Sequence, residues 1–459
     1  MKNYDIVIVG GGPGGYVAAI KAAHLGAKVA LIEKERLGGL CLNWGCIPTK
    51  TMLRSAKLYQ DILRAEEFGL TGIDKSKVGV DWTSLLRRKD EVVEKLVGGI
   101  YVLFRKNKID LFEGKAIVKN RNEVEVNGEV IVGKNLILAT GSVSNFPPIP
   151  GLDQALSSGR AITSKEAIQL DRIPQKLVIV GGGVIAVEFA TLFHTLGVKV
   201  TLLQRSEHIL SGAEREMAIT LERHLIQEGV QIVTSTKMKS ITEDGITVEH
   251  GGEDRTFRGD KYLISLGVKA QLDGLEGLPL ELDRKGFVVT NERLETNIKG
   301  VYAVGDMNGK FPLAHVASAE GIVAVENIMG INSSLNYDII PFCIYTFPEI
   351  ASVGLTEEQA KSAGYDVTVS KFPLTANGKA MAEGETLGFV KIISENQYGE
   401  ILGTHIMAGH ATDMISEAIM AMQIEGTVYD VAKAIHPHPT LSEIVMEAAH
   451  GAIDKPIHK

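Results

Sequence analysis

Apolar residues fall along this chain in two rhythms. Residues 4–9, YDIVIV, form a short continuous apolar run, the pattern of a parallel strand buried on both faces. A helical stretch, AAIKAAHLG, comes next, then a second strand, KVALIE, that ends at Glu33. Residues 51–107 carry Leu53, Leu58, Ile62, Leu85, Leu86, Val92, Val93 and Leu96 at helical spacing and predict a helical segment. Residues 109–138 are strand-rich and lead into NLILATGS at 135–142, and NFPPIPG at 145–151 is punctuation that marks a domain crossing. At 177–203 the opening pattern returns: strand, glycines, a helix to Gly197, then the strand VKVTLL. From about residue 340, strands such as FVKIIS at 389–394 mix with helices such as ATDMISEAIMAMQ at 411–423. That last part has no glycine fingerprint, so an interface role is expected of it.

The glycines give the pattern its chemistry. GGGPGG at 10–15 lies between the first strand and the first helix, with Glu33 about 20 residues on. Gly10, Gly12 and Gly15 admit a pyrophosphate to the helix N-terminus, and the acid bonds a ribose hydroxyl. The repeat, GGGVIA at 181–186, implies a second nucleotide-binding domain inserted after the first. Two such sites in one chain suggest electron transfer between two dinucleotides, with a flavin as the resident cofactor. One working site beside a relic stays open as the alternative. Later, TNIKGVYAVGD at 296–306 places Asp306 at the end of a short apolar strand, where a buried acid needs a partner and ligand hydroxyls would provide one.

Composition narrows the class. The 459 residues suffice for two to four domains, and 49 glycines exceed the usual share, which fits tight turns and close backbone approach to ligands. A net charge of −8 argues against nucleic acid as the main partner. Three cysteines cannot make a secreted disulfide framework, so a reducing compartment is expected and any disulfide is expected to be catalytic. With no signal peptide ahead of the first strand and no apolar run long enough for a membrane span, the expectation is a soluble, cytoplasmic protein.

Two of the cysteines, Cys41 and Cys46, lie in GGLCLNWGCIPTK at 38–50. On a regular helix residues five apart point roughly 140° from each other, so this pair closes only if the segment is distorted. Gly38, Gly39 and Gly45 supply that latitude, and Pro48 suits the first turn of a helix whose N-terminus would lower a thiol pKa. Two unrelated buried cysteines remain the alternative at this point.

Taken together, GGLCLNWGCIPTK, both fingerprints, LATGS, TNIKGVYAVGDM, LAHVASAEG at 313–321, IYTFPEIASVG at 344–354 and HPHPTLSE at 436–443 resemble the flavoprotein disulfide reductases, and among them the branch acting on dihydrolipoamide. The resemblance covers almost the whole chain. It implies an α/β fold of two Rossmann-like dinucleotide-binding domains plus an α+β dimerisation domain. The FAD domain would span 1–147 and 267–335, the NAD(P) domain 148–266, and the dimerisation domain 336–459. It also implies a homodimer that oxidises protein-bound dihydrolipoamide, presented by a lipoylated protein of a 2-oxoacid dehydrogenase or glycine cleavage system. The chain shows no attached lipoyl domain ahead of the first strand, so the lipoyl group is expected to arrive on that separate protein.

By the same resemblance Cys41 exchanges with substrate, Cys46 sits against the flavin, and Lys50 pairs with Glu188 near it. His438 is the base, supplied across the dimer interface, with Glu443 orienting it. Glu443 also completes T-x-x-E from Thr440, so it could serve only as a helix cap. His436 and His450 lack that context and read as structural. For FAD the resemblance points to Gly10, Gly12, Gly14, Gly15, Glu33, Lys34, Lys50, Ala116, Gly141, Asp306, Ala314 and His315. For the nicotinamide nucleotide it points to Gly181, Gly183, Ala186, Gln204, Arg205 and Gly267. No metal is implied.

Some positions depart from the pattern. Ala186 replaces the third glycine, and Gln204–Arg205 stands where an NAD-using member carries a strand-end acid. A neutral Gln beside an Arg would accept a 2′-phosphate that a carboxylate repels, so NADP use or dual specificity is expected. Against this, Arg205 could be merely solvated, and Ser211 adds no second base. Val268 and Lys269 also depart from the arginines often found there. The rival is an NADPH-dependent reductase of another small disulfide, glutathione-like, which CLNWGCIPTK and HPHPTLSE disfavour. A mercury-type reading is opposed by the tail GAIDKPIHK, which has no cysteine pair, and Cys343 in FCIYT reads as a core residue. A binding or assembly subunit that keeps the fold is opposed by the intact set of Cys41, Cys46, Lys50, Glu188, His438 and Glu443.

Overall fold

A computed structural model describes residues 2–458. The strand Lys2–Val9 is the centre of the first sheet, pairing in parallel with Val29–Glu33 on one side and Glu129–Leu138 on the other. Asp110–Glu113 extends the sheet beyond Val29–Glu33, and Val301–Ala303 pairs in parallel with Glu129–Leu138. Ile6, Ile8, Leu31 and Ile137 are completely buried under helices on one face, while Val7, Val9 and Ile32 on the other face pack against Val118, Val124 and Leu275. Glu123–Val126 and Ala116–Asn120 continue the sheet as an antiparallel meander. A strand some 160 residues downstream in the sequence thus completes the first sheet, and it carries Asp306 just past its end.

The second sheet is parallel, in the order 231–233, 199–203, 176–180, 261–264 and 161–162. Its strand Lys176–Val180, helix Val184–Thr195 and strand Lys199–Leu203 repeat the opening unit of strand Lys2–Val9, helix Pro13–His24 and strand Val29–Glu33. At the crossing between the two sheets, Ser142–Ser144 pairs antiparallel with Val268–Ala270. A third sheet is wholly antiparallel, in the order 342–344, 349–354, 401–408, 389–395 and 367–373. Helices Ala411–Gln423 and Glu443–Ile453 pack their apolar faces on it.

Residues 51–107 are not one helical run. A helix spans Cys46–Leu63, short 3-10 turns occupy Ala65–Phe68 and Lys75–Lys77, and a second helix spans Trp82–Lys106. The first helix ends at Leu63; Gly69 and Gly72 then take left-handed φ values of 76° and 85° in the connection after the 3-10 turn Ala65–Phe68, and the Asp81 carboxylate accepts the Ser84 N–H to start the next helix.

One apolar cluster joins the cysteine-bearing helix to the second and third sheets. Met52, Leu53 and Ala56 from the cysteine-bearing helix pack with Val187, Phe189 and Phe193, and with Ile344, Ile350 and Met407. Charged residues on those helices are thereby brought next to one another at its edge.

Candidate functional site

The two cysteines meet because the helix between them is broken. Gly38 and Gly39 adopt left-handed φ of 94° and 58°, and a short helix, Gly39–Trp44, carries Cys41. It stops at Gly45, where an added Cβ would lie 3.0 Å from the Leu40 carbonyl oxygen and 3.2 Å from Cys41 Cα. A new helix begins at Cys46 itself. The two Cα atoms end 4.7 Å apart and the sulfurs form a disulfide. The buried Asn43 amide donates to the Leu37 and Gly39 carbonyls, each at 3.0 Å, and fixes the loop. Among the described residues no side chain caps the Cys46–Leu63 helix, so Cys46 sits at a helix start whose unpaired N–H groups and positive dipole end favour a thiolate.

Lys50 lies one turn beyond Cys46 on the same helical face. Its ammonium bonds both Glu188 oxygens, at 2.8 and 3.0 Å, and lies 4.4 Å from the Tyr345 ring centre. Glu188, on the helix Val184–Thr195, is almost fully buried and also accepts the Tyr345 N–H at 3.0 Å. One carboxylate therefore ties together the cysteine-bearing helix, the helix Val184–Thr195 and the residue that follows the strand Phe342–Ile344. The remaining cysteine, Cys343, is a weak acid: burial pushes its thiol up to about 11.

Both glycine loops have the shape that a dinucleotide needs. Gly10, at φ 104°, packs against the Ala139 carbonyl, and Gly15 against the Gly10 carbonyl, so neither position has room for a side chain. Gly14 is held between Val304 and Ala317. Gly12, in contrast, has only Gly39 Cα near an added Cβ, at 3.9 Å, and the helix Pro13–His24 starts there without a side-chain cap. The Glu33 carboxylate accepts N–H bonds from Gly11 at 2.6 Å and Glu35 at 2.7 Å. Lys34 beside it is exposed, Ala116 is buried at the start of the next strand, and Gly141 turns with φ 72° in open space. In the repeat, Gly181 packs against the Ser265 carbonyl at φ 116°, Gly183 is open, and Gly267 is open at φ 88°. Ala186 is completely buried, so the third position of this loop accommodates a methyl group.

Asp306 accepts a 2.6 Å hydrogen bond from the Ser142 hydroxyl, and burial raises its pKa. A desolvated carboxylate with one side-chain donor has capacity for further donors such as ligand hydroxyls. Ala314 and His315 open the helix Ala314–Ile328, which lacks a side-chain cap, and His315 Nε2 bonds the Pro341 carbonyl at 2.9 Å. The open approach at Gly12, the strand-end Glu33 carboxylate, the buried Asp306 carboxylate and the uncapped helix start at Ala314 are a set that fits FAD.

Gln204 follows the strand Lys199–Leu203 and is buried under Gly182, whose missing Cβ leaves room for its side chain. Its Oε1 accepts the Arg205 N–H at 3.0 Å, and Nε2 donates to the His208 carbonyl at 3.4 Å. Arg205 is exposed, and among the described residues its guanidinium has no ion pair or hydrogen bond.

His438 Nδ1 bonds the Glu443 carboxylate at 2.8 Å, and the other Glu443 oxygen accepts the Thr440 N–H at 2.8 Å. Glu443 thus serves both purposes that its spacing left open, though the Thr440 hydroxyl donates to Pro437 and completes no reciprocal box. Burial pushes the Glu443 pKa upward, but the bonds from Thr440 and His438 outweigh it, so the carboxylate stays below its usual value. Because a carboxylate only accepts, Nδ1 carries a proton in this bond, and Nε2 is the ring nitrogen left to exchange protons with a substrate. The His438 side chain is 79% exposed, and within the chain no hydrogen bond joins it to the disulfide among the described residues. His436 is turned inward, 2.6 Å from Glu417. Ser142 and Tyr345 are site residues that the sequence reading did not single out, although LATGS and IYTFPEIASVG contain them.

The family model for pyridine nucleotide-disulphide oxidoreductase matches residues 4–321, and that of the corresponding dimerisation domain matches residues 340–449. A dihydrolipoyl dehydrogenase of Bacillus subtilis is 42% identical, with 99% of each chain covered. One from Thermus scotoductus is 40% identical over 100% of this chain and 99% of its own. Among solved structures, LpdA from Mycobacterium tuberculosis superposes with a TM-score of 0.88 at 26% identity, covering 98% of this chain and 99% of that one. The HOCl-induced flavoprotein disulfide reductase RclA from Escherichia coli gives 0.86 at 27%, covering 97% and 99%.

Proposed function

Because this chain belongs to the pyridine nucleotide-disulphide oxidoreductase family, we propose that it is a dihydrolipoyl dehydrogenase that transfers electrons from protein-bound dihydrolipoamide to a nicotinamide nucleotide. The observation that carries the reading is the Cys41–Cys46 disulfide at an uncapped helix start, one turn from the Lys50–Glu188 pair. The Gly10–Gly15 loop, Glu33, Asp306 and the helix start at Ala314–His315 would hold FAD, which would supply two-electron transfer between the dithiol and the nicotinamide nucleotide. No helix among the described residues is long and apolar enough to cross a membrane, and we assign the protein to the cytoplasm.

The chain's own groups account for the thiol chemistry. His438 Nε2 takes a proton from one dihydrolipoamide thiol, and the resulting thiolate attacks Cys41 Sγ. The Cys41–Cys46 bond breaks, and Cys46 leaves as a thiolate that the helix start and the Lys50 charge stabilise. The second substrate sulfur then displaces Cys41, closing the lipoamide disulfide and leaving both cysteines reduced. The dimerisation domain makes the protein a homodimer, and in our reading His438 of one protomer faces Cys41 of the other. Its exposure within a single chain supports this. The lipoyl group arrives on a protein of a 2-oxoacid dehydrogenase or glycine cleavage system.

The sheets support a division at the boundaries expected from the sequence, with 1–147 and 267–335 around FAD, 148–266 around the nicotinamide nucleotide, and 336–459 at the interface. Exposed, unpartnered Arg205 beside neutral Gln204 favours NADP or dual use, and it equally favours the second reading, an NADPH-dependent reductase of another small disulfide. The test is dihydrolipoamide oxidation by the purified protein, with kcat/KM compared for NADP and NAD. Activity with an NADP advantage supports both parts of the proposal. Activity with NAD preferred keeps the enzyme and removes the role given to Arg205. No activity with either nucleotide overturns the substrate and leaves the second reading.

A further inference from the structure

Glu320, on the helix Ala314–Ile328, has no solvent exposure and plays no part in the thiol chemistry. Its Oε2 accepts the Gly305 N–H at 2.6 Å and the Asn308 amide at 2.8 Å, and its Oε1 accepts the Tyr337 hydroxyl at 2.6 Å. Gly305 and Asn308 are the two ends of the 3-10 turn that carries Asp306. The turn is held again at Gly305, whose left-handed φ of 74° sets it 3.1 Å, measured from an added Cβ, from the Ala317 methyl of the same helix. Tyr337 is itself fixed, stacked on Phe311 with the Lys310 ammonium 4.8 Å from its ring centre.

A carboxylate in this position is costly to desolvate, and burial raises its pKa against the three hydrogen bonds. An apolar side chain would fill the same volume without that cost. What an apolar residue cannot do is hold both ends of one turn at fixed distances from one helix. That helix begins at Ala314–His315 and the turn presents Asp306, so the carboxylate joins the two elements that the flavoprotein reading places against FAD. We propose that Glu320 is a positioning residue for FAD, locking the Asp306 turn to the start of the Ala314–Ile328 helix so that both meet the cofactor as one rigid unit. The proposal rests on the flavoprotein reading above.

The test titrates FAD into apoprotein, with the dissociation constant read from quenching of free-FAD fluorescence, and compares thermal midpoints of apo and FAD-loaded protein. Glu320→Met removes every acceptor at similar volume and is expected to weaken FAD binding by about 10–100-fold. Glu320→Gln keeps an oxygen for Gly305 and Asn308 and turns its amide to the Tyr337 oxygen, so it is expected to restore binding to within about threefold. Asn308→Ala releases one end of the turn, leaves the carboxylate in place, and is expected to weaken binding by about 3–10-fold. If the Met variant does not fold, the Asn308→Ala result decides. The stabilisation that FAD adds over the apoprotein should shrink in Glu320→Met while nicotinamide-nucleotide affinity is unchanged. An FAD dissociation constant within twofold of wild type, or apo and loaded forms destabilised equally, would overturn the proposal. Failure of the wild-type chain to bind FAD would instead overturn the flavoprotein reading.

Discussion

Replacing Gln204 by Glu changes one charge at a site whose geometry is already fixed. Gln204 is buried beneath Gly182 and its Oε1 is held by the Arg205 N–H at 3.0 Å, a bond that a Glu oxygen can also accept. The bond lost is the long one to the His208 carbonyl, at 3.4 Å. A carboxylate that reaches a ribose 2′-hydroxyl sits about 5 Å from the centre of a phosphate carried on that oxygen. With a phosphate charge near −1.75 and an effective dielectric of about 40–80 in an open cleft, the repulsion is about 1.5–3 kcal/mol. That is a 10–150-fold loss in kcat/KM for NADP. NAD gains a charge-assisted bond to its free hydroxyl, so the NADP-to-NAD ratio should fall by at least about 10-fold and by more than the NADP loss alone. The assay is steady-state oxidation of dihydrolipoamide with each nucleotide at one ionic strength, because screening weakens the term. A ratio that moves by less than about threefold would refute the idea that the charge at residue 204 governs the choice.

Other perturbations separate the remaining parts. In His438→Ala, dihydrolipoamide turnover should fall by about 10²–10⁴-fold while bleaching of the flavin by reduced nicotinamide nucleotide persists; equal loss of both would remove His438 from the base role. Lys391 is buried and bonds Glu214 at 2.8 Å and Glu357 at 2.7 Å, joining the helix Arg215–Glu228 to the third sheet. Lys391→Met leaves Glu214 buried without its cation, at about 3–5 kcal/mol, or roughly 3–5 °C in Tm for a chain of 459 residues; an unchanged Tm would contradict a buried pair. Hydrogen bonds from Lys361 and Lys391 lower the Glu357 carboxyl from its ordinary 4.5 to about 2. A depressed pKa stabilises the fold above the unfolded value and loses that contribution as pH falls from about 4.5 through about 2. The gap in unfolding midpoint between wild type and Glu357→Gln should therefore be full at neutral pH and close over that window, and a gap independent of pH would rule out the ion pairs as its cause.

Much of this protein is legible in its residues because the relevant forces are local. The glycine loops at 10–15 and 181–186 announce themselves through spacing, since only glycine fits where Gly10 meets the Ala139 carbonyl and Gly181 the Ser265 carbonyl. The break between Cys41 and Cys46 follows from Gly45 in the same way. The long apolar spacing over 51–107 misled because apolar periodicity does not register the break after Leu63, where 3-10 turns and the left-handed Gly69 and Gly72 interrupt the helix before Trp82. Contacts that depend on distant segments were recognisable only by resemblance or were not visible at all. Lys50 and Glu188 are 138 residues apart, Ser142 and Asp306 164 apart, and no periodicity relates them. The sequence by itself determined two nucleotide loops, a cysteine pair and the strand and helix rhythm around them, because each depends on backbone sterics within a few residues. Which carboxylate meets Lys50, that Glu443 serves both His438 and Thr440, and that Glu320 grips both ends of the Asp306 turn were decided only by tertiary structure, because burying a charge demands partners that chain folding alone brings within hydrogen-bond reach.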